Sequence, residues 1–181
     1  MLAVVASGRR AELLELAYAY VRTRGLSDLS LRPLAAEIGS SPRVLLFLFE
    51  SKDGLVRALL ARARDDELAL LATLPAAAGL TTAAKTVWQW LAAETNRPVL
   101  RLWLEAYARS LVDESGPWSG FAAATVADWL AVLAASEPAS PEAEIRRTAA
   151  LAILRGALLD LLATGDEART TAAVHRQLDS L

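Results

Sequence analysis

The 181-residue chain has no cysteine, one histidine and one methionine, and only 6% of its residues are aromatic. Without cysteine it can form neither a disulfide nor a thiolate metal site. With a single imidazole, His175, a metal centre or a Ser-His-Asp triad would rest on one group near the C-terminus, so a satisfied or solvated histidine is expected. No uninterrupted apolar run approaches the roughly 18 residues that a membrane span needs. The opening MLAVVASGRR sets its short apolar run before its basic pair, the reverse of a secretory signal. A phosphate-cradling glycine loop, a Ser or Cys nucleophile motif and carboxylates paired at acid-base spacing are all missing, and Asp65, Asp66 and Glu67 read as a solvated helix face. The expectation is a soluble cytoplasmic protein that is not an enzyme, with no cofactor, no metal and no membrane partner.

What is present is apolar residue in abundance, 54% of the chain, with 22% charged. That composition, in a chain of this length, can bury one large core or two small ones. Net charge is −2 overall, yet residues 1–64 hold ten Arg/Lys against six Asp/Glu, a local +4, and the remainder carries −6. A basic head on an acidic body is the asymmetry expected when one end meets a polyanion.

The whole chain reads as helix, because apolar residues recur at spacings of three and four, as in Leu13, Leu16, Ala17, Tyr20 and Val21, with no strand-like alternation. Helix 1 is expected from about Ser7 to Arg24, stopped by Gly25. Helix 2 starts at Ser30 as N-cap, tolerates Pro33 in its first turn and ends at Gly39. Helix 3 has Ser41 as N-cap and Pro42 at the first helical position, and reaches about Phe47. Helix 4 opens at Ser51 with Asp53 in its first turn and continues to about Leu74. Two short helices joined by Gly39-Ser40-Ser41 form a helix-turn-helix, whose second helix enters a major groove.

The stretch LSLRPLAAEIGSSPRVLLFLFESKDGLVRALL resembles the N-terminal signature of TetR-type (tetracycline-repressor-like) transcriptional regulators: a hydroxyl-capped helix 2, an Ala-rich core face, a Gly turn, then aromatic-x-Phe-x-Ser-Lys-acid-x-Leu. The ending LAILRGALLDLLATGDEARTTAAVHRQLDSL is similar to the last two helices of that family. The resemblance implies an all-α chain with a three-helix DNA-binding head, residues 1–50, joined through a long helix to a ligand-binding and dimerisation body, residues 51–181. It also implies a homodimer held by the two final helices. The residues between Ile145 and Leu162 agree: Ala152, Gly156 and Leu159 lie on one stripe and Leu151, Leu154 and Leu158 on the next, so a helix apolar nearly all round needs cover on more than one side. A central buried helix in a monomer would show the same pattern.

Six apolar residues in a row, Val44 to Phe49, occupy the helix that should read DNA. In a helix starting at Pro42, Leu45 and Phe49 turn inward, Leu48 leans the same way, and Val44, Leu46 and Phe47 face the groove. Where the family pattern has a tyrosine the chain has Leu46, and Leu48 replaces a polar residue before the phenylalanine, so two phosphate-contact candidates are lost. The remaining DNA-binding candidates are Ser30 and Arg32 on helix 2, Ser40 and Ser41 in the turn, Arg43, Val44 and Phe47 on helix 3, and Lys52 at the start of helix 4. Arg43 suits guanine O6/N7, Val44 or Phe47 a thymine methyl, and Lys52 a phosphate.

All five tryptophans lie between Thr81 and Glu137. Trp88, Leu91 and Thr95 are expected on one face of helix 5, and Trp103, Tyr107 and Ser110 on one face of helix 6. The family places its pocket among these helices, which implies an apolar, aromatic-walled cavity formed by Trp88, Trp103, Tyr107 and Phe121, with Gln89, Glu94, Asn96, Arg101, Glu105 and Tyr107 as polar anchors. The segment SEPASPEAE reads as a linker. These features together point to a ligand-responsive regulator, a repressor that binds a pseudo-palindromic double-stranded DNA operator as a homodimer and is released by a small, largely apolar effector. The competing reading is a dimeric helical module that binds no DNA and sequesters a hydrophobic small molecule or partner.

Overall fold

The computed structural model describes residues 2–26, 29–72, 79–113 and 115–181. In chain order the helices are α1 (Leu2–Arg24), α2 (Leu31–Glu37), α3 (Pro42–Phe49), α4 (Lys52–Leu71), α5 (Leu80–Ala92), α6 (Arg97–Val112), α7 (Phe121–Ala134), α8 (Pro141–Thr164) and α9 (Glu167–Leu178), with a 3-10 helix at Glu94–Asn96. No strand occurs among the described residues. Two compact units result, Met1–Asp66 with Arg101–Ala122, and Glu67–Leu100 with Ala123–Leu181. Compactness thus groups α1 to α3 with most of α4 and α6, whereas the sequence division after residue 50 follows expected roles.

In the first unit α1, α2 and α3 pack on one another. Leu13, Ala17 and Val21, one helical turn apart along α1, are fully buried. They meet Leu34 and Ala35 of α2, Leu45 and Phe49 of α3, and Leu55, Leu59 and Ala63 of α4, with Leu102, Ala106, Trp118 and Phe121 completing the core. Each fully buried leucine in such a cluster contributes about 1.5–3 kcal/mol through lost apolar surface.

The caps fix where these helices start. Ser41 is extended, its hydroxyl accepts the Val44 N–H at 3.3 Å, and Pro42 follows at the first position. Ser51 caps α4 by accepting the Gly54 N–H at 2.9 Å. Glycine is obligatory at 54, because a Cβ there would stand 1.9 Å from the Phe49 carbonyl oxygen. Helix α1 begins at Leu2 rather than Ser7, since nothing in residues 2–6 breaks a helix, and α3 runs on to Phe49. Helix α4 ends at Leu71, while the expected end at Leu74 lies outside the described residues.

In the second unit α5, α8 and α9 pack together. Trp88 of α5 is completely buried, and its indole N–H donates to the Thr171 hydroxyl of α9 at 2.9 Å. Leu154, Leu158 and Leu161 of α8 and Val174 and Leu178 of α9 are buried in the same unit. Half of the expected linker is helix: the Ser140 hydroxyl accepts the Ala143 N–H at 3.0 Å, Pro141 is the first helical residue, and Glu142 and Glu144 sit in the first turn. Gly165, with φ of 71°, ends α8, and Asp166 caps α9.

The charge run on α4 is only partly solvated. Asp65 is exposed, but Asp66 pairs with Arg62, and Glu67 is buried, its carboxylate accepting the Trp129 indole N–H. A buried carboxylate requires such donors, and the tryptophan that supplies this one is 62 residues away in sequence.

Candidate nucleic-acid interface

Helices α2 and α3 and the turn between them form the helix-turn-helix. Ile38 closes α2, Gly39 adopts φ of 64°, and the Ser40 N–H returns to the Ala35 carbonyl at 2.8 Å. The inner face of α3 is taken by Leu45 and Phe49, with Leu48 half-buried against the core. Left outward are Arg43, Val44 (38% exposed), Leu46 (41%) and Phe47 (79%). Ser30 makes no cap bond through its side chain and is exposed, as are Arg32 and Lys52. Among the described residues Arg32, Arg43 and Lys52 are exposed and pair with no acid, so α2, α3 and the start of α4 each carry a cation without internal compensation. The two serines of the turn differ: Ser41 caps α3, and the Ser40 hydroxyl oxygen is buried with no hydrogen-bond partner.

A groove of about 350 Å³ opens where α1, α3 and α4 meet, lined by Arg10, Leu48, Glu50, Gly54 and Arg57 among others. Arg10 donates to the Leu48 carbonyl at 3.3 Å and lies 4.9 Å from the Phe49 ring centroid, so its guanidinium closes the C-terminal end of α3. Sequence reading does not single out Arg10, because its partners lie 38 residues on.

Helix α4 is tied to α1 by Arg62. Its Nε donates to Glu15 at 2.6 Å, a second nitrogen meets Asp66, and the guanidinium stacks 4.9 Å over the Tyr18 ring. Hydrogen bonds to Glu15 and then Asp66 hold the Arg62 charge firmly in place. Burial first, and the Asp66 carboxylate second, push the Tyr18 phenol well above its ordinary range.

The aromatic candidates divide between the units. Trp103 and Tyr107 of α6 lie in the first, with ring centroids 5.2 Å apart and planes tilted by 33°, and Phe121 is buried in the same core. The Trp103 indole nitrogen is buried with no hydrogen-bond partner. Trp88 belongs to the second unit and is spent on Thr171. Thr95 falls in the 3-10 helix beyond α5, so it does not extend the face of Trp88 and Leu91, whereas the Ser110 hydroxyl accepts the Ala122 N–H at 3.1 Å.

Two of the suggested polar anchors serve the backbone. Asn96 donates to the Trp90 carbonyl at 2.9 Å, and the Glu105 carboxylate accepts the Leu26 N–H at 2.8 Å. On α8, Ala152, Gly156 and Leu159 are exposed in the single chain, and nothing lies within 4 Å of where a Gly156 Cβ would stand. Among the described residues no group of His, Cys, Asp or Glu could hold a metal ion, and no helix is long and apolar enough to cross a membrane.

No family model and no curated protein matches the chain. Solved structures do. A crystal structure of a putative TetR-family transcriptional regulator from Rhodococcus sp. is similar over 96% of this chain and 98% of its own, with a TM-score of 0.74 at 16% identity. A TetR-family member from Streptomyces coelicolor A3 shares 26% identity over 93% of this chain and 97% of its own, with a TM-score of 0.68. The multidrug binding protein EbrR, crystallised with proflavin, shares 25% identity over 93% of this chain and 99% of its own, with a TM-score of 0.69. The all-α fold, helix-turn-helix included, is therefore similar to that of the TetR-type transcriptional regulators, the likeness that the sequence signature implies.

Proposed function

We propose that the protein is a ligand-responsive DNA-binding regulator, a repressor that grips a pseudo-palindromic operator as a homodimer and releases it when a small, largely apolar effector binds. The observation that carries this reading is the exposed outer face of α3, with Arg43 on it and the unpaired, exposed cations Arg32 and Lys52 on the neighbouring helices α2 and α4. Arg43 takes a guanine edge, Val44 and Phe47 enter the groove, and Ser30, Arg32, Ser41 and Lys52 meet phosphates. The buried Ser40 hydroxyl is left out of that set.

The exposed stripe of Ala152, Gly156 and Leu159 on α8 supports a helix-on-helix contact between two copies. The Trp103 and Tyr107 pair supports an aromatic effector site, and the likeness to a protein crystallised with proflavin favours a flat, aromatic ligand there. The test is a mobility shift with DNA from the protein's own promoter region across a salt series. A regulator shows a sequence-dependent complex whose affinity falls linearly in log-log form with salt. Equal binding to every sequence at low salt overturns the proposal in favour of a module that sequesters a hydrophobic molecule.

A further inference from the structure

The outer face of α3 carries a single hydrogen-bond donor for base edges, Arg43, beside three apolar side chains, Val44, Leu46 and Phe47. Phe47 has four-fifths of its surface in water, although Leu45 and Phe49 already fill the core beneath it. Within a major groove the apolar feature of a base edge is the C5 methyl of thymine. Val44 and Phe47 are three residues apart, about 4.5 Å along the helix axis, a rise close to the roughly 3.4 Å between base pairs.

We infer that α3 reads C5 methyl groups, so that each operator half-site presents methylated pyrimidines on neighbouring base pairs beside the guanine taken by Arg43. This rests on the regulator reading above and deepens it. Arg43 on the face, and the unpaired, exposed Arg32 and Lys52 on α2 and α4, match a polyanion rather than an apolar protein surface. Because 5-methylcytosine carries the same methyl at the same ring position, it satisfies Val44 and Phe47 as thymine does, whereas cytosine and uracil do not.

The experiment selects binding sites from a randomised duplex pool with the full-length protein, then resynthesises the best site with deoxyuridine in place of each thymine in turn. At thymines under α3 each lost methyl should weaken binding about fourfold, the equivalent of one buried CH₂ group. At the same positions 5-methylcytosine should bind about fourfold better than cytosine. Phe47→Ala, a surface change, should abolish the deoxyuridine penalty at one position and leave the others. A sequence-specific complex indifferent to every deoxyuridine overturns the methyl reading and leaves the regulator standing. Loss of all sequence preference overturns both. If Phe47→Ala instead changes the sedimentation of the DNA-free protein, the face is a contact between protein chains and the inference falls.

Discussion

The Glu105 carboxylate of α6 accepts the backbone N–H of Leu26, at 2.8 Å, in the segment that leaves α1 for the helix-turn-helix. The same oxygen lies 3.1 Å from where a Cβ on Gly25 would stand, and Gly25 adopts φ of 82°. Leu26 is buried, so its N–H has no water to turn to. Glu105→Ala should therefore cost about 1–3 kcal/mol, the penalty of an unmade buried bond, while Glu105→Gln keeps an acceptor and should cost less. Urea midpoints at unchanged slope are the measurement. An alanine variant as stable as wild type would mean that the carboxylate is idle.

Operator binding separates base readers from phosphate contacts. Arg43→Ala should cost about 1–3 kcal/mol and relax sequence choice at one base pair. Lys52→Ala should weaken all sequences alike and reduce the salt slope by about 1. If two heads each place α3 in a groove, protected half-sites should lie about 34–36 Å apart, or a multiple of that. Footprints on selected DNA read the spacing and both variants.

Gly156 has open space around it in the single chain, and arginine favours a helix over glycine by roughly 0.5–1 kcal/mol. Gly156→Arg should thus leave the subunit fold intact while placing a charge on the α8 stripe. Sedimentation is expected to show a folded monomer. A variant that keeps the dimer mass places the interface elsewhere.

A compound that saturably quenches tryptophan emission should be the one that lowers operator affinity, by roughly 5- to 150-fold for a coupling of about 1–3 kcal/mol. Trp103→Phe, which keeps bulk in the first-unit core, should blunt both responses and leave ligand-free binding near its original strength. Were quenching compounds to leave DNA affinity untouched, the Trp103 and Tyr107 pair would be core packing alone.

Where α8 turns into α9, Arg169 donates to both oxygens of Asp160 at 2.7 Å and to Asp166 at 3.3 Å. These bonds hold the Asp160 carboxyl below its ordinary value of 3.8. Since the folded value is depressed, its stabilising effect is complete above that ordinary value and fades as pH falls through the lower folded one. NMR titration should find Asp160 titrating below 3.8, and Arg169→Gln should raise it toward that value. Identical titration in the variant would show that the arginine plays no part.

Legibility followed the range of the interaction. Ser41-Pro42 announces α3 because a cap is settled within four residues, and the same logic at Ser140-Pro141 marks the start of α8, hidden by reading the surrounding prolines and acids as a linker. The inward turn of Leu45 and Phe49 follows from helical spacing alone. Glu105 capping Leu26 spans 79 residues and Glu67 meeting Trp129 spans 62, and nothing local to either glutamate announces a distant donor. For the aromatic set, helical phase puts Trp103 and Tyr107 on one face, but it cannot tell that Trp88 is already engaged by Thr171.

The exposed side chains of Val44, Leu46 and Phe47 also bear on the calorimetry of DNA association. Apolar surface that leaves water on complex formation carries a negative heat-capacity change, so the enthalpy of operator binding should grow more favourable with each degree of warming. A recognition helix faced with hydroxyls and amides would contribute the opposite sign, since hydration of polar surface moves heat capacity the other way. Titrations at several temperatures would thus carry the imprint of three hydrocarbon side chains in the slope of enthalpy against temperature.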